Sequence, residues 1–256
     1  MSTSEVSALP GHIAIIMDGN NRWARSKGLP TKKGHRYGAE AAREIVYACV
    51  EQRIPYLTLF AFSNENWLRP TVEVQSLMAL FVMVLKRHEI RQLHSNNVRI
   101  MFAGKRSGFS PRLLRSMQEA EALTDGNSGT RLIVAADYGG RWDITEAARS
   151  LARKVESGKL TSHEIDDSIL RQHTSLGEIP DPDLCIRTGG EHRISNFLLW
   201  NFAYTELYFT DCFWPDFNKF HLQMALDDYA SRQRRFGSHD KPAEPVMNNS
   251  KDRCFD

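Results

Sequence analysis

The stretch that decides the fold is His12-Ile13-Ala14-Ile15-Ile16-Met17-Asp18-Gly19-Asn20-Asn21-Arg22-Trp23. It opens as a short apolar run rich in β-branched residues, which predicts a buried strand. The run ends in a carboxylate, a glycine and two asparagines, which accept tight or left-handed backbone and leave N–H groups free to donate. Alone, this turn is better explained as an ordinary strand-to-helix connection. Together with Arg22, Trp23 and Gly34-His35, it favours a phosphate site that combines a metal ion with backbone donors.

Strand-like and helix-like patterns alternate along most of the chain, which predicts an α/β fold with a mainly parallel central sheet covered by helices. Residues that could carry chemistry follow the strand ends, where open α/β sheets bind ligands. We expect a loose start at residues 1–11, a single domain at 12–237 and a polar tail at 238–256. Further strands are predicted at residues 56–62, 98–103, 131–136, 184–187 and 207–209, and helices at 39–52, 72–93, 110–123, 143 onward (with a helical pair within 144–172) and 218–234.

Composition excludes several classes of protein. The 256 residues carry 33 Lys+Arg against 31 Asp+Glu, so no overall basic field favours nucleic acid. The four cysteines form no CxxC pair and no metal-ligand spacing with histidine, which suits a reducing compartment. The sequence shows neither a signal peptide nor a run of about 20 apolar residues. These features predict a cytoplasmic protein.

Two further stretches could bind phosphate. Arg187, Arg193 and Ser195 surround Gly189-Gly190 after a short strand, a combination that predicts a phosphate clamp with little backbone obstruction. The strand at 56–62 leads into a polar segment that ends at Arg69. Arg69 alone would be read as a surface charge, and its neighbours make a role in a site the better interpretation.

Residues 77–85, Leu-Met-Ala-Leu-Phe-Val-Met-Val-Leu, are apolar on every side of a helix. Such a helix is buried all round or faces an apolar cavity. Periodicity alone favours plain core packing.

These stretches occur together in the order found in the cis-prenyltransferases, the family typified by bacterial undecaprenyl diphosphate synthase. The chain resembles that family from about His12 to Gly237. The motifs that carry the resemblance are HIAIIMDGNNRWA at 12–24, GH at 34–35, TLFAFSNENWLRP at 58–70, YGGRWDI at 138–144, IRTGGEHRISNFLLWNFAYTELYF at 186–209, WPDF at 214–217 and RRFG at 234–237.

The resemblance implies the cis-prenyltransferase fold and an Mg²⁺-dependent transferase. Such an enzyme condenses isopentenyl diphosphate onto farnesyl diphosphate to give a long-chain product, undecaprenyl diphosphate, the precursor of the lipid carrier for cell-wall polysaccharide. It also implies that Asp18 and Glu206 bind the metal. A homodimer is implied, in which Arg235 of the C-terminal RxG motif reaches the partner's site, together with a peripheral membrane contact for product release.

Two diphosphate sites follow from the same resemblance. Isopentenyl diphosphate would be bound by Arg187, Arg193, Ile194 and Ser195, while a contact from His192 stays open. Residues 77–85 would wall the product tunnel, and the small Ala61 would leave its mouth open. The allylic site would be formed by Asp18, Gly19, Asn20, Asn21, Arg22, Trp23, His35, Ser63, Asn64, Glu65, Trp67 and Arg69.

Asn66 corresponds to a residue cast as the proton acceptor in this family. A carboxamide is far too weak a base for efficient proton transfer, so a positioning role with the departing diphosphate as base is the better interpretation. Gly139 and Gly140 are interpreted as turn residues.

The sequence argues against three other functions. A trans-prenyltransferase would need DDxxD motifs, and both Asp-Asp pairs, at 166–167 and 227–228, lack the final aspartate. A nucleotide hydrolase would need a GxxxxGK[ST] loop, which is absent from the sequence. A non-catalytic subunit that stabilises another synthase could dispense with Asp18 and its turn, and this chain retains both.

Overall fold

The computed structural model describes residues 9–232. Its centre is one six-stranded sheet in the order β3-β4-β2-β1-β5-β6, and each pair of neighbouring strands is parallel. The predicted α/β fold with a parallel sheet is therefore confirmed. The strands are β1 (His12–Ile16), β2 (Tyr56–Ser63), β3 (Arg99–Ala103), β4 (Arg131–Tyr138), β5 (Leu184–Arg187) and β6 (Glu206–Phe209).

Helices cover both faces of this sheet, and short 3₁₀ turns lie at 64–68, 162–164 and 214–216. The last helix begins after Asn218, whose side chain accepts hydrogen bonds from the backbone N–H groups of Phe220 and His221. The helices are α1 (Asn20–Ser26), α2 (Thr31–Glu51), α3 (Thr71–Val84), α4 (Arg87–Ser95), α5 (Pro111–Thr124), α6 (Gly140–Glu156), α7 (Asp167–Gln172) and α8 (Lys219–Ser231).

The single helix predicted over 72–93 is wrong, because the chain breaks at Leu85-Lys86 into α3 and α4. Leu77 and Ile90 are both buried. Thirteen residues at about 100° each would place them on nearly opposite faces of one straight helix. The break allows α3 and α4 to bury both side chains.

Helix α2 begins at Thr31, eight residues earlier than predicted, so Gly34 lies inside it. A Cβ atom on Gly34 would lie 2.1 Å from the carbonyl oxygen of Asn20. This glycine therefore permits close packing of α2 on α1 and does not mark a helix boundary. Similarly, α6 begins at Gly140 and not at Asp143.

Strand β1 is buried along its whole length, as its unbroken apolar run predicts for a central parallel strand. Ile13 and Ile15 pack with the helices on one face, and Ala14 and Ile16 pack with Tyr138 and neighbouring residues on the other. None of the helices within residues 9–232 is long and apolar enough to cross a membrane.

The sheet order places a functional crevice beside β1. From β1 the chain builds β2, β4 and β3 on one side and β5 and β6 on the other. Ile16 pairs with Phe60 of β2 and with Arg187 of β5. The segments that follow these three strands therefore meet at one carboxyl edge, where parallel sheets bind ligands.

Candidate active site

A cavity of about 620 Å³ opens at the carboxyl ends of β1, β2 and β5. Its surface combines charged side chains with an apolar part formed by Ile16, Phe60, Ala61 and Leu77. The predicted site residues that line it are Asp18, Gly19, Asn20, Asn21, Arg22, His35, Ser63, Glu65, Asn66, Arg69, Arg187, Arg193 and Ser195.

The turn after β1 is held by the segments around it. Gly19 has a φ of 106°, and a Cβ atom there would lie 2.7 Å from the Phe213 ring, so only glycine fits without displacement. The Asp18 carboxylate accepts a hydrogen bond from the N–H of Gly19 at 2.6 Å. The N–H of Asp18 donates to the hydroxyl of Thr188 at 3.0 Å. The turn is thus fixed relative to the segment that follows β5.

Two arginines converge on the Asp18 carboxylate. Arg187, whose side chain is only 4% exposed, donates from Nη2 to Asp18 Oδ2 at 2.9 Å. Arg22 Nη2 lies 3.3 Å from the same oxygen. The Nη1 group of Arg187 donates to the hydroxyl of Ser195 at 2.7 Å and to the carbonyl of Arg193. Arg187 therefore links the β1 turn to the predicted phosphate clamp.

A carboxylate that the sequence did not predict lies behind the other side of the cavity, in contact with residues that line it. Glu73 accepts hydrogen bonds from Asn21 at 3.0 Å and from Arg69 at 2.8 Å. His35 Nε2 lies 3.8 Å from Glu73, too far for a hydrogen bond. Burial, together with the nearby Arg69 guanidinium, lowers the pKa of His35 below its ordinary value, so the imidazole is neutral at pH 7. The i, i+4 spacing of Arg69 and Glu73 was the signal available in the sequence.

Several buried polar atoms around the cavity lack a hydrogen-bond partner among the described residues. Buried polar groups in proteins are nearly always hydrogen-bonded, so such a cluster marks a place prepared for a polar ligand. These atoms are Asn20 Oδ1, Asn21 Oδ1, His35 Nε2 and Arg187 Nε.

Trp23 and Trp67, both predicted to belong to the allylic site, make hydrogen bonds and packing contacts around the cavity. Trp23 is buried and donates from its indole to Asp216 at 2.7 Å. Trp67 donates from its indole to Asp137 at 2.8 Å and packs against Phe62. Neither tryptophan lines the cavity. Both tryptophans hold in place the segments whose other residues line the cavity.

Asn64 and Ile194 also lie outside the lining. The Asn64 side chain occupies the space beside Gly139, where a Cβ atom would meet it at 2.6 Å. Ile194 packs against the core on the α6 side of the sheet. His192 stacks on Phe209 with ring centroids 5.0 Å apart and does not line the cavity either.

Asp18 and Glu206, the two predicted metal ligands, lie far apart within a single chain. Glu206 pairs with Leu184 at the amino-terminal edge of the sheet, three residues before Arg187, the partner of Asp18. Three residues of strand span about 10 Å, far beyond the reach of a shared ion. Glu206 instead accepts a hydrogen bond from Arg232 at 2.8 Å.

The amide oxygen of Asn66 is already engaged, because it accepts a hydrogen bond from the N–H of Ser63 at 3.1 Å. This bond closes the turn after β2 in a capping box. The contact favours the positioning interpretation of Asn66 over a role as base.

Asn196 lines the cavity and was not predicted. It donates from Nδ2 to Glu65 at 2.7 Å and accepts from the N–H of Arg141 at 2.9 Å. Its carbonyl accepts from the N–H of Gly140 at 2.6 Å. Its φ of 60° is one that asparagine adopts more readily than most residues. Asn196 joins the segments that follow β2, β4 and β5.

Asp18 alone cannot hold a magnesium ion, so a bound diphosphate would have to supply further oxygen ligands. No group of three or more His, Cys, Asp or Glu side chains within residues 9–232 could hold a metal ion. Magnesium characteristically binds through one or two carboxylates together with substrate phosphate oxygens. The Asp18 side chain is 32% exposed at the cavity and can supply that carboxylate.

Helix α3 is both packing element and cavity wall. Leu77 lines the cavity, while Phe81 and Leu85 pack on the cluster of Phe109 and Leu113. Other apolar residues of the same helix remain exposed. The helix therefore combines core packing, which periodicity favours, with a position beside the cavity.

Fold and site together define a parallel α/β protein with a cavity that combines cationic side chains and an apolar region. The family model described as putative undecaprenyl diphosphate synthase matches residues 16–237. The chain belongs to this prenyltransferase family, and the resemblance carried by its motifs is confirmed.

Individual relatives agree with this assignment. The chain is 52% identical to a farnesyl-diphosphate-specific ditrans,polycis-undecaprenyl-diphosphate synthase of Pseudomonas syringae pv. tomato, over 93% of this chain and 94% of the relative. It is 52% identical to an isoprenyl transferase of Nitrosomonas europaea, over 91% and 87%.

Solved structures give the same result. Lavandulyl diphosphate synthase from Lavandula x intermedia, in complex with dimethylallyl diphosphate, superposes with a TM-score of 0.88 at 38% identity, over 90% of this chain and 99% of that one. A probable undecaprenyl diphosphate synthase from Campylobacter jejuni gives a TM-score of 0.74 at 30% identity, with the same coverage.

Proposed function

We propose that this chain condenses isopentenyl diphosphate units onto farnesyl diphosphate and releases a long-chain polyprenyl diphosphate of the undecaprenyl type, the precursor of a lipid carrier for cell-wall polysaccharide. The observation that carries this proposal is a single cavity with arginines at one end and Phe60, Ala61 and Leu77 at the other. A diphosphate suits the first part and a growing hydrocarbon suits the second. The farnesyl specificity in the name of the Pseudomonas syringae relative supports the choice of primer.

Each of the two diphosphates would be bound by its own group of arginines. Arg22, Arg69 and the turn after β1 would hold the allylic diphosphate, whose negative charge grows as its C–O bond breaks. Donors already fixed where charge develops stabilise a transition state without reorganising. Arg187, Arg193 and Ser195 would hold isopentenyl diphosphate. The close link between Arg187 and Asp18 would bring the two reacting carbons together.

The proton balance of the condensation can be met without a protein base. A carbon–carbon bond forms as the allylic C–O bond breaks, and the isopentenyl unit then loses one proton. The departing diphosphate can accept this proton, whereas the Asn66 amide is a very weak base and its oxygen already accepts from Ser63. We therefore assign Asn66 to positioning.

Magnesium would be held by Asp18 together with phosphate oxygens, and it would neutralise charge on the leaving group. The partly exposed carboxylate beside the cavity supports this assignment. Glu206 is not included in the site within one chain.

The proposed assembly is a cytoplasmic homodimer that touches the membrane peripherally when product leaves. Arg235, expected to reach the partner's site, lies outside the described residues. A mixed-dimer experiment tests it. Asp18→Ala and Arg235→Ala homodimers should each be nearly inactive, and their heterodimer should regain activity, because one composite site receives both intact side chains. A heterodimer without activity would remove Arg235 from the partner's site.

The deciding experiment incubates the purified full chain with farnesyl diphosphate, labelled isopentenyl diphosphate and Mg²⁺, and reads product length by mass spectrometry. We expect a series of elongated products that disappears when a chelator is added. Binding of farnesyl diphosphate without any elongated product would identify a non-catalytic subunit instead.

A further inference from the structure

Helix α3 has an apolar face on its outer side, turned away from the cavity. Val72, Ser76, Ala79 and Met83 follow one another at spacings of four, three and four residues, which places them on one stripe of the helix. The stripe is apolar except for Ser76, whose hydroxyl donates to the carbonyl of Val72. Val72 is 75% exposed, Met83 is 40% exposed and Ala79 is exposed too. Val84, which is 41% exposed, lies beside the stripe, about 100° around the helix from Met83.

Cations follow directly where this stripe ends. Lys86, Arg87 and Arg91 are exposed, and within residues 9–232 they form no ion pair. The carboxylates of α3 and α4 are already paired, since Glu73 binds Arg69 and Glu89 binds Arg43. The three cations therefore have no neutralising acid on their own two helices.

We propose that this outer side of α3 and the start of α4, called here the α3–α4 surface, docks on an anionic lipid bilayer. An apolar stripe bordered by Lys and Arg is the pattern of elements that lie in a membrane interface. A second copy of the chain is a poorer fit, because it would bring the same unpaired cations to the contact. This surface gives a location to the membrane contact that the proposed function includes. It rests on that proposed function only for its role in product release.

The location suits that purpose. Leu77 of the same helix lines the cavity from the opposite side, so α3 separates the apolar part of the cavity from the α3–α4 surface. A bilayer docked there would be separated from the hydrocarbon by one helix.

The first test measures co-sedimentation of the full chain with vesicles, without substrate. Vesicles of phosphatidylcholine with about one-third phosphatidylglycerol are compared with pure phosphatidylcholine, because the attraction requires anionic lipid. We expect binding only to the anionic vesicles, and its loss at high salt. Equal binding to both kinds of vesicle, or to neither, would overturn the proposal.

Charge variants then locate the contact. Each cation near an anionic surface contributes about a fivefold gain in binding, so the triple variant Lys86→Gln/Arg87→Gln/Arg91→Gln should bind roughly 100-fold more weakly. The matched control removes the same charge from the end of α6, on the other face of the sheet, and from Lys159 just after it, and should bind nearly as the native chain does. This control is Arg153→Gln/Lys154→Gln/Lys159→Gln, at exposed positions. Equal losses in both triple variants would show a net-charge effect and refute the site.

The apolar stripe is tested separately. Met83→Glu should abolish vesicle binding, whereas Ala152→Glu, at an exposed position on α6, should cost much less. If Met83→Glu alters the oligomeric state in sedimentation velocity and leaves vesicle binding intact, the stripe is a subunit interface and the proposal fails. Activity in detergent is measured in parallel, so that failure of the enzymatic proposal and failure of the docking proposal remain distinguishable.

Discussion

The charged end of the cavity and the helix beside its apolar end are built on different physical principles. At the charged end, Asp18 is bonded to Arg187 and Thr188 across about 170 residues of sequence, through oriented contacts of 2.9 and 3.0 Å. Helix α3 has only Val74 and Leu77 buried, and its other contacts are partial and apolar. Hydrogen bonds fix direction, whereas dispersion contacts tolerate displacement. A fixed anion site beside a yielding wall suits a ligand whose diphosphate end is bound at set positions while its hydrocarbon tail lengthens.

The largest effect is expected when the Asp18 carboxylate is removed from the charged end of the cavity. Asp18→Ala should lower kcat at least about 100-fold, the usual cost of losing a charge-stabilising group in a transition state. It should also lower the melting temperature, because Arg187 loses a partner while almost fully buried. Asp18→Asn keeps an acceptor oxygen for Arg187 and should melt near the native value while remaining inactive. An active Asp18→Asn enzyme would show that the charge is not needed.

The second prediction extends the comparison to the other end of β1. His12 Nδ1 donates to the carbonyl of Pro180 at 2.6 Å, and Nε2 accepts from the hydroxyl of Thr58 at 2.7 Å. Burial lowers the pKa of His12 from 6.5 to about 4. The unfolded chain therefore binds the proton more readily, and stability should decline as pH falls from 6.5 toward 4, by about 3 kcal/mol in all.

Urea unfolding across that pH range measures this decline. His12→Gln should flatten the slope, because no group at this position then takes up a proton. A matched change in the exposed His94 should leave the slope unchanged. An identical slope in the His12→Gln variant would assign the acid sensitivity to other groups.

A third prediction separates the two diphosphates. Arg193→Ala should raise the KM for isopentenyl diphosphate about 10- to 100-fold, the effect of losing a charged donor, with a much smaller change for farnesyl diphosphate. Arg69→Ala should show the reverse preference, because Arg69 lines the cavity on the His35 side. Steady-state kinetics with each substrate varied in turn checks both. Equal rises for both substrates in both variants would merge the two sites into one.

The fourth prediction concerns the hydrogen bond between Asn196 and Glu65, which joins the segments that follow β5 and β2. Asn196→Asp should lower kcat/KM about tenfold, because a carboxylate would then face Glu65 at hydrogen-bond distance. Adding Glu65→Gln restores a donor and an acceptor in reversed order, so the double variant should recover part of the loss. The coupling between the two changes is measured by a double-mutant cycle. Simple additivity would show that the Asn196–Glu65 bond has no role.

Asn196 also shows where prediction from sequence ends. The strands and most residues at their carboxyl ends could be predicted, because an apolar run and the polar residues after it are local in sequence. The Asn196–Glu65 bond spans 131 residues and has no local pattern. The hydrogen bonds of Trp23 and Trp67 could not be predicted for a related reason, since only the fold shows that Asp216 and Asp137 receive their indole N–H groups. The break between α3 and α4 likewise depends on which faces the sheet must cover.

The smallest effect is expected at the apolar end, where the wall should change product length and not rate. Ala61→Leu adds three carbons to a partly buried side chain that lines the cavity. A filled cavity leaves less room for the tail, and the side chains of α3 can yield only partly, so the product should be shortened by one or more isoprene units. The first condensation should proceed near its native rate, because the diphosphate contacts are untouched. Ala79→Leu makes the same change on the exposed side of α3 and should leave the distribution of products unaltered. Mass analysis of both reaction mixtures decides the matter. Native-length product from Ala61→Leu would show that the growing chain leaves the cavity by a route that does not pass this residue.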